Sequence, residues 1–165
     1  MIREISAGGV VVHKIDGEWV IAVIELPAEP KANPTLKSRG TRSKSKAVLC
    51  LPKGLVDAGE KALEAALREV REETGLVTEA ITKLADIKYV YVRSWGDKER
   101  VFKIVSFYLL RYHSGTINDI SEDMRIEVAR ARWIPLLAAP KLLAYSGEKQ
   151  MARKALEYVE QHPDL

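Results

Sequence analysis

The chain has 165 residues, 47% apolar and 30% charged, with 10 Gly and 7 Pro and a net charge of +3. That is the length of one domain with enough apolar surface for a core, and it excludes disordered and fibrous classes. One cysteine, Cys50, excludes an intrachain disulfide framework and a multi-thiolate metal centre, and no apolar run reaches the ~18 residues of a membrane helix. Met1-Ile2-Arg3-Glu4 has no cationic stretch leading into an apolar region, so no secretory signal is expected and a cytoplasmic location is.

In chain order, Ala7–Ile15 and Glu18–Leu26 are β-rich runs around an Asp16-Gly17 hairpin signal. Periodicity is then lost: Pro27, Pro30, Pro34 and Gly40 sit among Ser, Thr, Lys and Arg. The stretch at about 27–46 therefore reads as a long mobile loop, of a length that is usually functional or disordered. Ala47–Leu51 is a short apolar strand ending at Pro52-Lys53-Gly54, and Gly54 and Gly59 bracket a tight loop. Glu60–Thr74 is the clearest helix, with Ala62, Leu63, Ala66, Leu67 and Val70 on its apolar face and Gly75 as its stop. Ala85–Val92 and Val101–Tyr112 are strands joined at Gly96-Asp97, with Trp95 exposed beside the turn. A strand over Glu127–Ile134 ends at Pro135, and helices over Leu136–Tyr145 (interrupted by Pro140) and Lys149–Gln161 close the chain. No repeat or linker divides it. The order predicts a single α/β domain over 1–165, a mixed sheet with helices on both faces. His13, Trp19, Trp133 and Cys50 read as structural residues.

Charge is uneven. Lys31, Lys37, Arg39, Arg42, Lys44, Lys46 and Lys53 lie between Pro30 and Lys53 with no acidic residue, so this segment carries +7 and the rest of the chain −4. A basic stretch on an acidic remainder suits a polyanionic ligand, although a solvated loop is the plain alternative.

The chemistry is concentrated in Gly54 to Leu76. Glu69, Glu72 and Glu73, at i, i+3 and i+4, share one ~100° arc of the helix surface. Like charges at this spacing repel, so three carboxylates kept on one edge suit a hard cation. Their oxygens fit Mg²⁺ or Mn²⁺, with positions left for water and substrate phosphates. Arg68, two turns from Glu60, is placed to orient or pair with a glutamate.

At every defined position this segment resembles the Nudix box: Gly54, Glu60, Arg68, Glu69, Val70, Glu72, Glu73, Gly75 and Leu76. The resemblance implies the family's α/β/α sandwich and hydrolysis of a diphosphate linkage in a nucleoside diphosphate derivative. It also implies Mg²⁺, with Mn²⁺ as a substitute, on Glu69, Glu73 and Glu72 and the Gly54 carbonyl. The metal would lower the pKa of a bound water, and a carboxylate would take its proton. Glu72 is ligand or base. Members of the family differ in which carboxylate is the base, and Glu127 is the candidate from outside the box, ahead of Glu122 and Asp123.

Substrate marks are fewer. Val77 to Arg100 has no proline, unlike ADP-ribose hydrolases, and the signatures of coenzyme A and NADH hydrolases are missing. Leu51-Pro52-Lys53-Gly54 resembles the approach to the box in hydrolases of diadenosine polyphosphates and, with variations, of diphosphoinositol polyphosphates. Tyr89 and Tyr91 alternate along one strand and so share a face, where both can reach an adenine, with plain strand packing as the alternative. Lys53 and the basic loop, Arg42 and Lys44 included, suit a substrate with four or more phosphates. The expected function is thus Mg²⁺-dependent hydrolysis of a dinucleoside polyphosphate. Diphosphoinositol polyphosphates and oxidised nucleoside triphosphates are the alternative substrates, and a nucleotide- or RNA-binding module without turnover is the alternative class. The intact box favours the enzyme, and basic residues not interleaved with aromatics speak against nucleic acid. A small phosphorylated partner is expected and a membrane is not; the sequence carries no signal for oligomeric state.

Overall fold

Asp16 and Gly17 both take positive φ, 51° and 82°, the backbone of a two-residue hairpin turn that keeps the strands' twist. They join β1 (Ile2–Ile15) to β2 (Glu18–Glu25), with Ile15 opposite Glu18. Next come β3 (Leu49–Cys50), β4 (Lys53–Leu55), α1 (Ala62–Thr74), β5 (Leu76–Val92), β6 (Arg100–Gly115) and β7 (Arg130–Pro135), then α2 (Ala139–Leu142) and α3 (Ser146–Gln161). The computed structural model describes residues 2–27, 47–93, 96 and 98–165. Arg42, Lys44, the rest of the loop at 28–46 and Trp95 lie outside them.

Strand order is β3-β2-β1-β6-β5, with β4 added on β1 and β7 on β2. β1 and β6 run parallel and the other pairs antiparallel. Alternation along β1 divides the core. Val10 and Val12 join Phe107, Leu109 and the Met151, Ala152 and Ala155 face of α3, while Val11 joins Val70 of α1 with Ala22, Leu76 and Leu110. The sheet therefore lies between α1 and α3, the expected sandwich. No helix among the described residues is long and apolar enough to cross a membrane.

Several boundaries differ from the sequence reading. α1 begins at Ala62, because Glu60 is engaged in the preceding turn, where its N–H donates to the Asp57 carbonyl. Gly54 is not in a loop but in β4, opposite Ala7. β5 starts at Leu76, nine residues early; register shifts at Val77/Thr78, Ala80/Thr82 and Lys83/Ala85 break the alternation that marks a strand. The stretch expected as a strand from Glu127 begins only at Arg130, and a 3-10 turn (Asp123–Ile126) precedes it. Of the Leu136–Tyr145 helix only four residues remain, with Pro140 in the first turn. α3 starts at Ser146, three residues early, because Gly147, a poor helix former, fits where a Cβ would meet the Ile87 side chain.

Candidate active site

One edge of α1 is organised by Arg68. Its Nε and Nη2 donate to the two oxygens of Glu60 at 2.8 and 2.9 Å, a bidentate fork. Nη1 donates to Glu69 at 2.9 Å and Glu72 at 3.2 Å, and Nη2 also to the Leu55 carbonyl at 3.0 Å. Asp57 adds a longer pair at 3.4 Å. Arg68 thus ties the residues before α1 to its acidic edge, and offsets the repulsion between glutamates three residues apart. Its bonds, joined by the Asp57 N–H, pull the Glu60 carboxyl down to about 2.

Glu73 lies deeper, at 6% exposure, and accepts the Lys53 N–H at 3.0 Å. Burial pushes its carboxyl up to about 8, and the charges of Glu69 and Glu127 add to that effect. Burial likewise raises Glu69. Beside them Gly54 allows a close approach that no other residue could, since a Cβ there would fall inside the Glu69 carboxylate.

Glu127 acts on this field from outside α1, its charge reaching both Glu69 and Glu73. It sits at the end of the 3-10 turn, with helical backbone angles (φ −96°, ψ −31°) rather than on a strand. Two anchors fix that turn. Asn118, in the left-handed region at φ 76°, donates its N–H to the Thr74 carbonyl at the end of α1 (2.8 Å). The Asn118 side-chain oxygen accepts from Arg125 at 2.7 Å and from the Ala131 N–H at 3.0 Å, and its carbonyl from Arg125 at 2.7 Å. The loop bearing Glu127 is thereby pinned to the helix bearing Glu69 and Glu73.

Lys53 links this edge to the opposite face of the sheet. Its N–H is on Glu73, and its Nζ donates to Glu148 of α3 at 2.7 Å. There a cavity of about 580 Å³ is lined by Lys53, Tyr89, Val105, Phe107, Tyr145, Glu148 and Gln150, among others. None of the acidic residues of α1 lines it; Lys53 is the join. Lys103 lies across from Glu4 on β1 and Tyr89 on β5. Burial lowers the pKa of Lys103 and the Lys53 charge lowers it further, against the pull of Glu4. Tyr89 and Tyr91 do share a face, with rings 6.2 Å apart, but only Tyr89 lines the cavity, while the Tyr91 hydroxyl donates to Glu4 at 3.0 Å.

The structure thus brings together Lys53, Gly54, Arg68, Glu69, Glu72, Glu73 and, by its electrostatic reach, Glu127. The sequence reading missed Glu148, Lys103 and Tyr145. A lysine between Val101 and Val105 on a largely buried strand was the available signal for Lys103; nothing local marks Glu148, 95 residues from Lys53. Among the described residues no three His, Cys, Asp or Glu side chains are drawn into a metal-holding group, because Glu69 and Glu72 turn to Arg68 and Glu73 to Lys53. The donor set nonetheless fits a hard cation. A buried carboxyl raised by neighbouring carboxylates, beside a glycine that leaves room for them, is short of positive charge.

Over 159 residues the chain is 36% identical to the putative mutator protein MutT4 of Mycobacterium tuberculosis, covering 96% of this chain and 57% of that protein. It is 29% identical to the mouse 8-oxo-dGDP phosphatase NUDT18, over 68% of this chain and 32% of the relative. The chain thus spans about half the length, or less, of these curated relatives. In fold it is similar to a C. elegans Ap4A hydrolase in a binary complex, with a TM-score of 0.64 at 21% identity, covering 96% of this chain and 98% of that one. The NUDIX domain profile matches residues 22–155, and with the complete box running from β4 through α1 to the start of β5 the chain belongs to the NUDIX family.

Proposed function

We propose that this single domain hydrolyses a pyrophosphate linkage in a nucleotide derivative with a divalent metal, Mg²⁺ or Mn²⁺, and that its preferred substrate is a dinucleoside polyphosphate such as diadenosine tetraphosphate. The observation that carries the reading is the junction at Lys53, where an acidic edge suited to metal meets a cavity lined by aromatic side chains and the half-buried Lys53. Glu69, Glu73 and Glu72 would hold the metal, with the Gly54 carbonyl beside them. When bound, the metal neutralises pyrophosphate charge and lowers the pKa of its water.

Arg68 bridges Glu69 and Glu72 through Nη1, orienting both and offsetting their mutual repulsion. Glu127 and Glu72 are the carboxylates placed to take a proton from the attacking water. Among the described residues no side chain donates to the Glu127 carboxylate, whereas Glu72 already accepts from Arg68 at 3.2 Å. Lys53 and Lys103 supply cationic contacts along a polyphosphate chain, and Tyr89 offers a ring for a base. The similarity to an Ap4A hydrolase fold accords with this reading. The mutator and 8-oxo-dGDP phosphatase names of the relatives favour a second one, a damaged purine nucleotide as substrate.

A panel of diadenosine tetraphosphate, a diphosphoinositol polyphosphate, ADP-ribose, oxidised dGTP and NADH, assayed with Mg²⁺ and with chelator, tests both. Chelator-sensitive preference for the tetraphosphate is expected; preference for oxidised dGTP selects the second reading. Inactivity on every member, with RNA retained on a filter, would instead indicate a binding module.

A further inference from the structure

Among the described residues only two carboxylates are buried, Glu73 at 6% exposure and Glu148 at 4%, and Lys53 touches both. Glu148 is the third residue of α3, where a glutamate ordinarily serves its own helix N-terminus. Here it turns away. Oε1 accepts the Leu51 N–H at 2.6 Å and Oε2 the Lys53 ammonium at 2.7 Å. Ala144, just before α3, donates its N–H to the Leu49 carbonyl at 3.0 Å. The 49–53 segment is therefore fastened to the start of α3 at three points, and its last residue is the one that binds Glu73.

Both ends of this arrangement bear on the reaction. A lysine free to swing would leave the rim of the cavity, and a shift of its backbone would move the N–H that holds Glu73. Two short bonds from one buried carboxylate suppress both movements. We propose that Glu148 is a positioning residue for hydrolysis, acting through Lys53. It sets the Lys53 ammonium between the cavity and the acidic edge, where a substrate's bridging phosphates would meet it. This rests on the phosphate-cleaving reading above but not on any particular nucleotide.

The test is a double-mutant cycle with Glu148→Gln and Lys53→Met. Glutamine still accepts the Leu51 N–H but carries no charge for Lys53. The first readout is binding of inorganic tripolyphosphate in EDTA. The second is kcat and KM for whichever nucleotide of the panel the wild type turns over best. Each single variant is expected to lose about tenfold in tripolyphosphate affinity and in kcat/KM, as removal of a charge-assisted contact does. The double variant should be no worse than Lys53→Met within about twofold. Losses that multiply in the double variant would make Glu148 a merely structural residue, and wild-type behaviour of Glu148→Gln would also overturn the proposal. Should that variant fail to fold, Glu148→Asp, which keeps the charge but withdraws it from Lys53, runs the same cycle with the same expected and contrary results. A coupled cycle on oxidised dGTP would retain the role of Glu148 and discard the dinucleoside reading. Turnover of diadenosine tetraphosphate with multiplying losses would do the reverse. A wild-type protein that neither binds tripolyphosphate nor hydrolyses any nucleotide overturns both.

Discussion

Replacing Glu73 with glutamine separates the electrostatics of the acidic edge from its packing. Burial, with Glu69 and Glu127, raises this carboxyl from 4.5 to about 8 in the folded chain. A group raised in this way contributes its stability in full below 4.5 and loses it as pH rises through about 8. At about 1.4 kcal/mol per unit, the loss without metal is about 3 kcal/mol by pH 7 and about 5 kcal/mol above pH 8. For a domain of this size each kcal/mol is worth about 2–4 °C, so the melting temperature should fall by about 10–20 °C over the range. Glutamine still accepts the Lys53 N–H but has no proton to lose, so Glu73→Gln should show a much flatter profile and exceed the wild type above neutral pH. The assay is urea unfolding of both proteins from pH 5 to 9 in EDTA. Added Mg²⁺ at pH 8 should stabilise the wild type and leave the variant nearly unmoved, because a cation favours the ionised carboxylate. Parallel pH profiles for the two proteins would refute the reasoning.

Other outcomes follow from the same geometry. Gly54→Ala should cut turnover by more than tenfold while far-UV circular dichroism stays native, because its Cβ displaces the Glu69 carboxylate rather than the core. Glu60→Gln should flatten the acid limb of the stability curve: the Glu60–Arg68 link is complete above 4.5 and lost as pH falls toward about 2, which acid titration of unfolding reads. Leu110→Ala, emptying the centre of the packing between sheet and α1, should cost about 2–5 kcal/mol in urea unfolding; a loss under about 1 kcal/mol would contradict the core described. Neutralising Lys37, Arg39, Arg42 and Lys44, or replacing Lys103 with alanine, should raise KM more for a tetraphosphate than for a diphosphate substrate. Equal effects would remove the polyphosphate argument.

How much of this was written in the sequence depended on how local each signal is. The box is a helix-length code, so Glu69, Glu72, Glu73 and Arg68 could be placed on one edge from spacing alone. The hairpin at Asp16-Gly17 was equally legible, since a two-residue turn depends only on its own residues. β5 was half missed because its bulges interrupt the period-2 pattern between Val77 and Ala85. Glu127 lies on a different element from the one its sequence suggests, at the end of a 3-10 turn rather than on β7. Its place is set by Asn118 and Arg125, whose bonds reach back to Thr74 and forward to Ala131, beyond any local pattern. The cavity was least legible. Its lining residues Lys53, Tyr89, Phe107 and Glu148 come from four separate segments, β4, β5, β6 and α3, and only the sheet pairing and the packing of α3 gather them.

The proposed hydrolysis of a pyrophosphate linkage depends on one acidic edge, that of α1. The direct measurement is Mg²⁺-dependent product release from diadenosine tetraphosphate by wild type and Glu73→Gln, each with and without EDTA. Release that EDTA abolishes is expected in the wild type, and a rate lower by orders of magnitude in a folded Glu73→Gln. A near-normal rate in that variant, or wild-type release indifferent to EDTA, would contradict it.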